Sequence, residues 1–178
     1  MDRNQSGALT LRLLTGLPAE IGELQRVLEA APSYYLAVTG LPAGDAEAQS
    51  IYTGLPHGKT YADKFVWGLY GGQSMIGCAD VIRGYPARDK AVIGLLLIAQ
   101  PWQRRGLGRS FAILIEQAIG AWPEVECLRL NVAVSNSSAH AFWLKLGYRE
   151  TGEMKPAPPG FIAAMRVMEK PLQRGAGA

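Results

Sequence analysis

At 178 residues, with 48% hydrophobic and 19% charged residues and a net charge of +3, the chain has the makeup of one globular domain with a substantial core. Its mildly basic balance permits an anionic ligand but does not call for nucleic acid, because the basic residues are scattered along most of the chain. The longest apolar run, residues 91 to 99, is too short to cross a bilayer, and the start "MDRNQSGALT" lacks the apolar core of a signal peptide.

Two distant cysteines, Cys78 and Cys127, read as buried thiols in a reducing compartment rather than as a disulfide framework, so a cytoplasmic location without a membrane partner is expected. Residues 1–7 and 173–178 are small and polar and are expected to be disordered ends of a single domain over 8–172.

In chain order, "LTLRLL" (9–14) predicts a first strand. A helix follows from Pro18, with Leu17, Ile21, Leu24, Leu28 and Ala31 on one face, and Pro32 stops it. A second short helix is expected around "DAEAQSIY". "FVWGLY", the turn "GGQS" and "MIGCADVIR" predict an antiparallel hairpin. The continuous hydrophobicity of "AVIGLLLI" predicts a central strand buried on both faces.

A helix then places Leu107, Phe111, Leu114, Ile115 and Ala118 on one face and closes at Gly120 and Pro123. "VECLRLNVAV" reads as a strand, "SNSSAHAFWLKLG" as a short helix, and "YRETGEM" with "FIAAMRVMEKPL" as a closing hairpin. The result is an α/β fold with a mixed sheet and helices packed against it.

The stretch "QPWQRRGLGRS" (100–110) joins the central strand to the following helix. Gly106 and Gly108 let an anion approach the backbone, the helix start offers free N–H groups, and Arg104, Arg105 and Arg109 add positive charge. That combination suits a pyrophosphate. On spacing alone it also suits a plain strand-to-helix turn with a solvated basic face.

Rival motifs fail in detail. A dinucleotide fingerprint needs glycine where Phe111 stands, no segment supplies a P-loop, and Ile76 replaces the second glycine of a nucleophile elbow in "GQSMIG". His57, His140 and the two cysteines give no metal-ligand spacing, so no metal is expected.

Two stretches, in this order along the chain, carry a resemblance. "QRRGLGR" resembles the Q/R-x-x-G-x-G/A motif of the GCN5-related N-acetyltransferases (GNAT), and "NSSAHAFWLKLGYRE" resembles their later segment. The match is close from about residue 91 to 150 and looks most like bacterial amino-terminal acetyltransferases of ribosomal proteins. The resemblance implies a mostly antiparallel sheet of about seven strands flanked by about four helices. It implies acetyl-CoA as co-substrate and an amine as acceptor, and it is compatible with a homodimer.

On the same grounds, Gln103, Arg104, Arg105, Gly106, Leu107, Gly108 and Arg109 would hold the pyrophosphate. Leu96, Leu97 and Ile98 would pair with the pantetheine arm, and one of their N–H groups would polarise the thioester carbonyl. Asn136 would bond the cofactor arm, a helix cap being its other role. Lys145 would reach a cofactor phosphate or simply face solvent.

Two positions depart from the family pattern. Trp143 stands where many members place a tyrosine acid, and Asn131 where the ribosomal-protein enzymes often place a glutamate base. An alkyl amine near pKa 10.4 is free base at about one part in 2,500 at pH 7, a deficit of roughly 4–5 kcal/mol, so a base or an acceptor of low pKa is needed.

Asp80, among apolar neighbours on its strand, is the first candidate for base or acceptor anchor, a plain ion-pair partner being its other reading. Tyr34, Tyr35, Tyr85 and His140 are further candidates. Transfer by direct attack of a primary amine, belonging to a small molecule or peptide, in a ternary complex is the expected function. A binding module without turnover and an aminoacyl-tRNA acetyltransferase are its rivals.

Overall fold

The structure, a computed structural model, describes residues 9–172; the stretches 1–7 and 173–178 expected to be disordered lie outside the described residues. The elements are β1 (Leu9–Leu13), α1 (Pro18–Glu29), α2 (Pro32–Val38), α3 (Glu47–Thr53), β2 (Lys64–Gly71), β3 (Ser74–Arg83) and β4 (Lys90–Ile98). They continue with α4 (Leu107–Gly120), β5 (Cys127–Ala133), α5 (Ser137–Lys145), β6 (Arg149–Lys155) and β7 (Met165–Pro171).

The strands form one sheet in the order β1-β2-β3-β4-β5-β7-β6. Every neighbouring pair is antiparallel except β4 and β5, so the expected mixed, mostly antiparallel seven-stranded sheet is present. The parallel pair needs a crossover, and α4 supplies it.

Among the described residues five helices flank the sheet, in keeping with the about four expected, and the added one arises because Pro32 does more than end α1. A proline fits the first turn of a helix, where its missing N–H would be unpaired anyway, and Pro32 opens α2 in that way. Leu17 is the other departure in this region. It precedes α1 and is 60% exposed, while Leu24, Val27 and Leu28 form the buried stripe. The start of α1 is held by Glu20, whose Oε2 accepts from the N–H groups of Thr15, Gly16 and Leu17 at 2.8, 2.9 and 3.1 Å.

Two cores sandwich the sheet. On one face Phe111, Ile115 and Ile119 of α4, with Trp143 of α5, pack on Val81, Ile93, Leu128 and Leu130. On the other, Leu24 and Leu28 of α1 and Tyr35 of α2 pack on Val66, Tyr70, Met75 and Cys78. The closing hairpin is shorter than its sequence suggests, with β7 beginning at Met165. The preceding loop instead crosses to α2, where the Ile162 N–H donates to the Val38 carbonyl at 3.0 Å.

Candidate active site

The site begins as a fault in β4. Asp80 pairs with Leu95 and Val81 with Ile93, which leaves Gly94 as an extra, unpaired residue: a β-bulge. On its other edge β4 pairs with β5 only from Lys90 to Ile93. Beyond the bulge the two central strands part, and the edge of β4 facing β5 loses its ladder. This corrects the expectation of a strand buried on both faces: Ala91, Ile93, Leu97 and Ile98 are buried, Leu95 and Leu96 only half so, and Gly94 is exposed. The gap between the strands is a cleft.

Its first half, about 500 Å3, is lined by Leu96, Leu97 and Ile98 of β4, by Gln103, Arg104, Gly106, Gly108 and Arg109, and by Asn136. The structure thus brings together nearly all the residues singled out for cofactor binding. Arg105 and Leu107 stand outside the lining. The Arg105 guanidinium lies 5.3 Å from the centre of the Trp102 ring, and Leu107 packs on the core below α4.

The loop has the conformation an anion seat requires. Arg104 (φ 61) and Gly106 (φ 79) both take left-handed backbone, which turns successive N–H groups to one side. Among the described residues, no protein acceptor takes the N–H groups of residues 104 to 108. They are the orphan donors of a helix start, and the dipole of α4 adds positive potential there. The loop is tied down on its β4 side: the Gln100 N–H donates to the Ala30 carbonyl at 2.7 Å, and Gln103 Nε2 donates to the Ile98 carbonyl at 2.7 Å. Gln103 therefore shapes the seat as well as lining it.

Asn136 caps α5, its Oδ1 accepting from the Ala139 N–H at 3.1 Å and from Ser138 Oγ at 3.0 Å. Its amide nitrogen has no partner among the described residues and is free to donate into the cleft. Cap and cleft wall are one residue. Lys145 is exposed at the end of α5 and lines neither half.

The second half, about 360 Å3, shares Tyr34, Leu96, Asn136 and Ala139 with the first and continues past Gly94 to Asn131, Trp143 and Phe161. Tyr34, in α2, is the side chain at the junction that carries an ionisable hydroxyl. Burial first, and then the nearness of Cys78 and Glu47, pushes that hydroxyl up to about 12, so it stays protonated at neutral pH. Tyr35 faces the core, 4% exposed, and lines neither half of the cleft. Tyr85 lies in the β3–β4 turn, away from the cleft lining. His140, on α5, faces Glu150 of β6 at 2.6 Å and is not part of the lining.

Asp80 does not line the cleft directly. Its Oδ1 takes a 2.8 Å ion pair from Lys64 Nζ, whose side chain is 4% exposed. Its Oδ2 lies behind the bulge, 3.2 Å from where a Cβ at position 94 would stand. A side chain there would close the space between this carboxylate and the cleft; glycine leaves it open. Burial raises the Asp80 carboxyl above its ordinary range, with Lys64 working in the opposite direction.

Gly94 escaped the sequence reading, although a lone glycine inside an apolar strand run is itself a bulge signal. Lys64 and Phe161 escaped it too, and no local pattern marks them. Among the described residues, no group of three or more His, Cys, Asp or Glu side chains is placed to hold a metal ion, and no helix is long and apolar enough to cross a membrane.

The sequence matches the acetyltransferase (GNAT) family over residues 26–148, a span that includes the bulge, the anion seat and Asn136. The chain belongs to the GNAT family. It is an N-acetyltransferase, with acetyl-CoA as co-substrate.

An acetyltransferase from Thermus thermophilus is similar at 27% identity and a TM-score of 0.70, covering 92% of this GNAT chain and 97% of that one. The ribosomal-protein-S18-alanine N-acetyltransferase of Escherichia coli shares the fold at 17% identity and a TM-score of 0.66, over 96% and 98% of the two chains. So does the spermidine N-acetyltransferase of Vibrio cholerae, a complex with CoA and spermine, at 17% identity and a TM-score of 0.69, over 92% and 95%. No curated protein matches the sequence.

Proposed function

We propose that this chain transfers the acetyl group of acetyl-CoA to a primary amine of a small molecule or peptide, by direct attack of the amine within a ternary complex. The observation that carries the reading is a single cleft with free N–H groups and arginines at one end and a carboxylate behind an exposed glycine near the other. Residues Arg104 to Arg109 would hold the pyrophosphate through backbone N–H groups, with the Arg104 and Arg109 guanidinium groups adding charge. The unpaired edge at Leu96, Leu97 and Ile98 would pair with the pantetheine arm and polarise the thioester carbonyl, and the Asn136 amide would donate to the arm.

Acetyl-CoA supplies an acyl group activated as a thioester. Asp80 accepts the proton that the amine sheds, across the opening at Gly94, and its raised proton affinity suits that work. Tyr34 donates toward sulfur as the C–S bond breaks and the electron pair leaves with it. The cysteines support direct attack over an acyl-enzyme. Cys78 lines neither half of the cleft, and burial holds its thiol well above the ordinary range. Cys127 starts β5, opposite Lys90, where the two central strands are still paired. Both thiols are free, which fits the cytoplasm.

A second reading, a cofactor-binding module without turnover, draws on Asn131 and Trp143 and on the lack of a charged base on the cleft wall itself. Thiol release from acetyl-CoA, measured against a panel of amines, separates the two. Amine-dependent release supports transfer. Tight acetyl-CoA binding with no release on any amine supports the module.

A further inference from the structure

Among the described residues, no charged side chain lines the second half of the cleft, the acceptor half. Val38, Leu130, Val132, Trp143, Phe161 and Met165 make most of it apolar. Asn131 lines that wall, and its Oδ1 is shielded from solvent yet accepts no hydrogen bond among the described residues, so it meets a ligand when the side-chain amide turns into the cleft. A buried acceptor left unpaired is costly, and a donor brought in by a ligand removes the cost. The carboxylate behind Gly94, Asp80, is already neutralised through Lys64 and so offers no net negative charge to a second cation.

Building on the acetyltransferase reading above, we infer that the acceptor is a primary monoamine on an apolar or aromatic skeleton. Its N–H donates to Asn131 Oδ1 once the side-chain amide turns toward the cleft, and the apolar chamber houses the skeleton. Polyamines are excluded because a second ammonium would lose its water against Val38, Leu130, Val132 and Met165 with no counter-charge to replace it. Asn131 cannot take the proton at neutral pH; it orients the amine, and the proton passes to Asp80. Specificity for one cation is then a property of the wall, distinct from the chemistry.

The test is steady-state thiol release at saturating acetyl-CoA with 2-phenylethylamine, hexylamine and spermine, on the wild-type protein, Asn131→Leu and Asn131→Asp. The expected kcat/KM for the better monoamine exceeds that for spermine by about 10-fold or more. Asn131→Leu should raise the monoamine KM about 10-fold while leaving acetyl-CoA affinity unchanged and the melting temperature no lower, since it removes an unpaired polar group. Asn131→Asp should narrow the preference toward spermine.

Spermine turned over as well as or better than both monoamines overturns the inference alone. So does Asn131→Leu with an unchanged KM and a lowered melting temperature, the mark of a structural role. If acetyl-CoA binds but no amine is turned over, the transfer reading falls and takes this one with it.

Discussion

The cofactor half of the cleft is built from one short loop and one strand edge, largely from backbone, whereas the acceptor half is assembled from apolar side chains on α2, β4, β5, α5 and the loop before β7. A backbone seat needs particular residues at particular neighbouring positions: glycine at a left-handed turn, arginines beside it and a helix start behind it. An apolar wall needs only volume and hydrophobicity, which many residues provide equally well. The first kind of site leaves a motif in the sequence. The second leaves none, and its substrate must be read from what the wall lacks.

The largest effect should come from Gly106→Glu, which sets bulk and negative charge at a left-handed position in the anion seat. Acetyl-CoA affinity by calorimetry should fall by more than about 100-fold, ~2.7 kcal/mol. Retained affinity would erase the contrast between the halves, since the loop would then not be the seat.

Next in size, Asp80→Asn should lower kcat/KM by about 100-fold with acetyl-CoA affinity unchanged. The single change also strands buried Lys64, at a cost of about 3–5 kcal/mol in stability, so Lys64→Met combined with Asp80→Asn keeps the fold testable. In the wild-type protein kcat/KM should fall as pH drops and Asp80 becomes protonated. Because burial raises its carboxyl, that acidic limb should lie above the ordinary carboxylate range, and it should vanish in the double variant.

Much of the cofactor half is legible from residues 100–110 and from Asn136, because both depend on local chemistry. At Arg105 and Leu107 the N–H groups, and not the side chains, are placed for the seat, for a geometric reason. Residues alternate around the loop and the first helical turn, and these two face Trp102 and the core. Helix α2 is hidden because a proline that stops one helix can equally open the next, as Pro32 does. The opening beside Asp80 depends on Gly94 of a different strand, and its ion pair on Lys64 of a third, contacts that sequence spacing does not encode.

Tyr34→Phe probes the junction of the two halves. It should lower kcat about 10-fold through loss of the proton donor, with acetyl-CoA affinity and melting temperature nearly unchanged. An affinity loss larger than the rate loss would move Tyr34 into the cofactor half.

Glu20→Gln touches neither half and should cost only about 1 kcal/mol of stability, as a weakened helix cap. Burial opposes it, yet hydrogen bonds from Thr15, Leu17 and Gly16 hold the Glu20 carboxyl below its ordinary value. A depressed carboxyl stabilises the fold above its unfolded pKa, near 4.3, and that contribution disappears as pH falls through the lower folded value. The melting-temperature gap between wild type and variant should therefore close in acid. Kinetic constants that change with this variant would mean the halves are coupled through α1.

Hydrogen exchange of the backbone amides, with and without acetyl-CoA, tests the central claim most directly. The N–H groups of residues 104–108 have no protein acceptor among the described residues and should exchange freely in the free protein, then become protected when acetyl-CoA binds, together with those N–H groups of residues 95–98 that point away from β3. Saturating acetyl-CoA that leaves 104–108 unprotected, or protects a different segment, would contradict the account.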